Sequence, residues 1–119
     1  MRQYWHRYKS PSGLWVSEYL GTPDDCPELR ESDCEYRKGA WVPGTRAAPQ
    51  RIFVNAAEPR SEWPFYLAHE RGHVACDRIG VPDHWIQGAL SHRIIDAIAE
   101  ELAPLIKLPG IPNLERSKS

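Results

Sequence analysis

Tyr66-Leu67-Ala68-His69-Glu70-Arg71-Gly72-His73-Val74 is the stretch on which the reading of this chain turns. His69, Glu70 and His73 form an H-E-x-x-H pattern. On a helix, residues four apart sit one above the other on one face. Two imidazoles placed in that way can share one zinc ion, at about 2.0–2.1 Å per bond. Glu70 stands about 100° round the helix from His69. That keeps it off the metal but near enough to hold a water and serve as its general base. The plain alternative is a helix with two ordinary histidines and a surface glutamate.

The flanking residues favour a helix with defined ends. Ser61 is a suitable N-cap, Pro64 falls in the first turn where its missing N–H costs little, and Gly80 followed by Pro82 stops the segment. Projected at about 100° per residue, Phe65, Ala68, Gly72, Ala75, Cys76 and Ile79 form one apolar face. His69 and His73 fall on its margin, and Leu67 and Val74 point elsewhere, so the helix is expected to be buried on more than one side. Cys76 shares the apolar face, but about 10.5 Å of helix separates it from His69, too far for one ion to bond both. It reads as a packing residue. Asp77, one turn after His73, could accept that ring's second N–H, although a surface role is the simpler reading.

Before the helix, Arg51-Ile52-Phe53-Val54-Asn55 is the clearest strand signal. It is either an ordinary paired strand or a sheet edge offering main-chain hydrogen bonds to an extended peptide. Trp41-Val42 suggests a brief strand ahead of a loop from Pro43 to Pro49. Residues 2–20 suggest two strands around a turn at Ser10-Pro11-Ser12-Gly13, with His6 most simply a strand residue. Between them, Gly21 to Glu35 carries Asp24, Asp25, Glu28, Glu31, Asp33 and Glu35 against one arginine, Arg30. This is a solvated loop or short acidic helix, or else a surface that docks a basic partner.

After a loop holding His84 and Trp85, a second helix is expected, capped by Ser91. Its buried stripe would be Ile94, Ile95, Ile98, Ala99, Leu102, Leu105 and Ile106, with Pro104 ending or kinking it near Ala103. A catalytic zinc takes three protein ligands and keeps one position open. The second helix, returning alongside the first, should supply the third. His92 is preferred, with Asp96 and His84 as alternatives, while Glu100 looks solvated. The tail from Leu108, with Pro109, Gly110 and Pro112, reads as loosely held.

Size and composition narrow the classes. At 119 residues the chain suits one domain able to bury roughly two thirds of its unfolded surface. A net charge of −1 argues against a nucleic-acid or membrane-surface partner. Met1 to Tyr8 has no apolar run of the signal-peptide kind, and no stretch is long enough to span a bilayer. Three cysteines then read as cytosolic thiols, a Cys26–Cys34 disulfide being the lesser alternative.

Leu67-Ala68-His69-Glu70-Arg71-Gly72-His73 resembles the L-A-H-E-x-G-H segment of the ImmA/IrrE-type metallopeptidases and related small phage-borne zincin domains. The likeness extends over residues 50–105, through the preceding strand and Ile98-Ala99-Glu100-Glu101-Leu102 of the second helix. In that family the third ligand is usually a glutamate near the start of the second helix; the equivalent place here holds His92. No helix-turn-helix or other added domain is expected within these 119 residues to point to a substrate. It does not resemble the metzincins, because Cys76 and Ile79 stand where they require glycine and a third histidine.

The expectation is therefore an α+β fold of minimal zincin-like kind. A small twisted antiparallel sheet would lie over the His69–His73 helix, with the second helix alongside. One domain would span residues 1–119, with an acidic loop at 21–35 and a loose tail at 108–119. The activity implied is zinc-dependent hydrolysis of a peptide bond in a particular protein target in the cytoplasm. Zn2+ would be held by His69, His73 and His92, and Glu70 would be the base. The partner would be a protein or peptide, with no nucleic acid or membrane. A rival from another class is a non-catalytic metal-binding interaction protein of a phage or mobile element, working through its acidic surface.

Overall fold

The strand expected at Arg51–Asn55 forms as Gln50–Asn55, and in the computed structural model it runs through the interior of the sheet. The structure describes residues 3–10, 13–32, 35–45, 47–80 and 89–106. His84, Trp85, Cys34 and the 108–119 tail lie outside them. In chain order the strands are β1 (Gln3–Lys9), β2 (Trp15–Gly21), β3 (Gly39–Val42) and β4 (Gln50–Asn55), in the spatial order β1-β2-β4-β3. The helices are α1 (Trp63–Arg78) and α2 (Ala89–Leu102). None among the described residues is long and apolar enough to cross a membrane.

The sheet is mixed, which corrects the antiparallel expectation. β1 and β2 form a hairpin closed by Gly13 in a left-handed conformation, and β3 runs antiparallel to β4. β2 and β4, however, are parallel, from Val16 beside Gln50 to Gly21 beside Asn55. The cause is connectivity. A parallel pair needs a long crossover, and the acidic stretch after β2 provides it, delivering the chain to the far edge before β3 turns back into β4. Cys26 and Leu29 are fully buried within this crossover, and Asp24–Arg30 and Glu28–Arg51 ion pairs brace it.

Covering both sheet faces explains the unbroken run Ile52-Phe53-Val54. Ile52 and Val54 join Val16, Leu20, Trp63, Tyr66, Leu67 and Val74 on the helix side. Phe53 faces the crossover, against Cys26, Leu29 and Ala40, with Tyr19 stacked at 5.2 Å. Each such fully buried large side chain contributes about 1.5–3 kcal/mol.

The helix register also differs from projection. α1 buries Trp63, Tyr66, Leu67, Ala68, Glu70 and Val74, so its sheet-facing side has a carboxyl at its centre. Of the face assembled from Phe65, Ala68, Gly72, Ala75, Cys76 and Ile79, Phe65 packs against the sheet-side core, whereas the rest turn towards α2, where Gly72 lets Ile95 approach and Ile79 is left exposed. Ser61 is not the cap: it lies in a 3-10 turn, Arg60–Glu62, and Glu62 stands at the N-cap without a side-chain bond. Pro64 does sit in the first turn, and Gly80, at φ +78°, follows the helix. In α2 only part of the expected stripe is covered. Ile95 and Ala99 are buried, whereas Ile94, Ile98, Leu102 and Leu105 are exposed. The helix starts at Ala89, so Ser91 falls inside it and is not its cap, and it gives way after Leu102 to a 3-10 turn containing Pro104.

Candidate metal centre

α1 and α2 run past each other in opposite senses: Asp96 meets His69, Ile95 meets Gly72, and His92 lies against His73. That return brings three imidazoles together. One nitrogen from each of His69, His73 and His92 lies within 4.8 Å of the other two, close enough for the three to bind a metal ion. Ring centroids are 5.0 Å apart for His69–His73 and 5.6 Å for each of them to His92. The Nε2 atoms of His69 and His73 are 3.2 Å apart. Two zinc–nitrogen bonds of about 2.05 Å at a tetrahedral angle would place them about 3.3 Å apart. The donor set thus fits a divalent ion of the zinc type.

Asp96, an alternative ligand on sequence grounds, takes another place. Its Oδ1 is 2.7 Å from Nδ1 of His69. A carboxylate accepts, so the ring proton stays on Nδ1 and the Nε2 lone pair is left for a cation. Cys76 is a half-buried free thiol on the α2 side, outside the cluster; Cys26 is also free. Asp77 is exposed. His6 joins the Glu18 carboxylate at 2.8 Å, not the imidazole cluster.

Glu70 is almost wholly enclosed, yet its Oε2 has no hydrogen-bond partner among the described residues. Its Oε1 is 3.9 Å from Nε2 of His69. For the protein alone, burial pushes the Glu70 carboxyl up to about 8, and the positive charge of Arg37 pulls it partly back. A divalent cation beside it would favour the ionised form. Gly39 makes this burial fit: a Cβ there would stand 3.2 Å from Cγ of Glu70.

A cleft of about 520 Å³ opens over the imidazoles and Glu70, walled on the far side by Arg37, Gly39, Ala40, Trp41 and Pro43. Most of that wall is edge strand β3, not the interior β4 considered from sequence. Trp41 stacks on His73 at 5.8 Å with its ring nearly parallel, and its Nε1 donates to Gln50. Sequence reasoning found only a brief strand there. No motif marks Trp41 or Arg37, and their proximity to α1 follows from the sheet order alone.

Behind the site, Arg71 reaches from α1 to fully buried Glu18 on β2 with two 2.7 Å hydrogen bonds. This fork, with His6 on the same carboxylate, sets the rotation of the helix against the sheet. No family model, curated protein or solved structure matches this chain.

Proposed function

We propose that the chain is a zinc-dependent peptidase of minimal zincin type, acting in the cytoplasm on a peptide bond of a particular protein. The observation that carries this reading is the union, in one open cleft, of three converging imidazoles with a buried carboxyl that has an unpartnered oxygen. His69, His73 and His92 would hold the ion, with Asp96 fixing the tautomer of His69. When bound, zinc supplies Lewis acidity, bringing a water to a pKa of about 7 and polarising a carbonyl. Glu70 takes the proton of the attacking water and passes it to the departing amine, at a position its burial between Gly39 and the sheet holds constant. Trp41 fixes His73 from the open side and forms a flat wall for the substrate.

A purely structural ion would leave Glu70 without a task, at the cost of an enclosed carboxyl. The test is Glu70→Gln, which preserves shape and removes the base. Expected is full zinc content and an unchanged circular dichroism spectrum, with cleavage reduced by about 10²–10⁴-fold. A variant that cleaves as well as the parent would overturn the reading.

A further inference from the structure

We propose that Arg37 binds a carboxylate of the substrate, so that the cleft selects peptides with an acidic side chain or a free C-terminus beside the bond that is cut. The inference rests on the peptidase reading and adds its substrate class.

Arg37 stands two residues before edge strand β3 and is fixed through its backbone. Its N–H donates to Leu29 O at 2.7 Å, and its carbonyl accepts from Asn55 Nδ2 at 3.1 Å. Asn55 is itself buried at the end of β4. The peptide unit is thus held while the side chain stays exposed on the rim of the cleft that holds His69, Glu70 and His73. The arginines that brace the fold are paired: Arg30 with Asp24, Arg51 with Glu28 and Arg71 with Glu18. The Arg37 guanidinium has no hydrogen-bond or ion-pair partner among the described residues.

A free guanidinium beside a reaction site is a fork suited to a carboxylate, which it can hold through two parallel bonds. Glu31 on the same rim favours a singly charged group over a phosphate. An extended peptide lying along β3 would pass Arg37 just beyond the residues that face Glu70.

The probes are acetyl-tetraalanine amide, its free-acid form, and four amides with one glutamate at each position. Each is titrated by calorimetry into the zinc-loaded Glu70→Gln protein. At least one carboxylate peptide should bind about 10- to 100-fold more tightly than the neutral amide. Adding Arg37→Met should abolish that advantage, and Arg37→Glu should transfer it to peptides carrying lysine. In the parent enzyme, Arg37→Met should raise KM for the preferred peptide relative to KM for the neutral one by a similar factor, while any change in kcat from losing the charge near Glu70 should be shared by both peptides. A preference for the free acid identifies the terminal carboxylate, and one for a glutamate identifies a side chain.

Equal affinities, including failure of every peptide to bind, overturn the proposal. So does a preference that survives Arg37→Met, which would then belong to the ion. Carboxylate-selective binding without cleavage by the parent would sink the peptidase reading and leave the Arg37 site standing. Cleavage without carboxylate preference would do the reverse.

Discussion

Glu70 combines two features that ordinarily exclude each other: it sits at the centre of a helix face that packs on a sheet, and it carries an ionisable group. Its carboxyl titrates near 8 in the folded, metal-free protein, against an ordinary value of 4.5. The folded state therefore keeps this proton longer than the unfolded chain does. Stability from this group is unaffected below about pH 4.5 and falls as pH rises towards 8. Thermal unfolding of the chelated protein should accordingly show a declining Tm between pH 5 and pH 8, flattened in Glu70→Gln; a parallel decline in both proteins would assign it to other groups. Gly39 offers a second test at this scale. In Gly39→Ala the added methyl stands 3.2 Å from Glu70 Cγ, so the carboxyl must shift by a few tenths of an ångström. Cleavage should suffer more than stability, and a variant with parental kcat would show that Glu70 has room to spare. For the ligands, His92→Ala should weaken zinc binding well beyond the about 10- to 100-fold expected when the orienting Asp96 is changed to alanine. Equal, small effects in a competitive chelator titration would remove His92 from the site.

Helices and strands show where sequence reading succeeds. His69 and His73 are four residues apart on one helix, so their convergence is a local matter that the order of residues dictates. His92 needs only one further assumption, a return helix. For α1, hydrophobicity alone gives burial on more than one side but passes over Glu70, the residue at the middle of the sheet-facing one. Ala68 and Gly72, on the apolar face read from sequence, form the seam with α2, while Phe65 packs against the sheet-side core. The mixed sheet was illegible because β2 and β4 carry no mark of direction; it depends on the route of the acidic crossover. The Glu18–Arg71 fork lies further still from local reading, since 53 residues separate its partners. Its energetic consequence is testable. Removing Arg71 leaves the buried Glu18 carboxylate with only His6 beside it, at a cost of up to about 3–5 kcal/mol. Arg71→Met should therefore destabilise the protein strongly in urea, and adding Glu18→Gln should restore much of the loss. A double variant no more stable than the single would show that the fork does not act as a pair.

Taken whole, the molecule is a sheet covered on both faces, with α2 attached to one side through few buried residues. Of those described in α2, Ile95 and Ala99 are buried. An ion shared by His69, His73 and His92 would tie that helix to α1, and binding to the folded state at about 1,000 times Kd would add about 4 kcal/mol. Chelation should lower the Tm and speed amide exchange in residues 92–102 more than in β2 and β4. Uniform exchange across both would mean that no ion links the helices. The central claim is that three imidazoles hold a catalytic zinc ion beside a carboxylate base. Zinc K-edge absorption on the purified protein, paired with elemental analysis, tests it most directly. The predicted result is about one zinc per chain, with three imidazole nitrogens at about 2.0–2.1 Å and no sulfur. Zinc absent from the protein, or bound through cysteine, would contradict it.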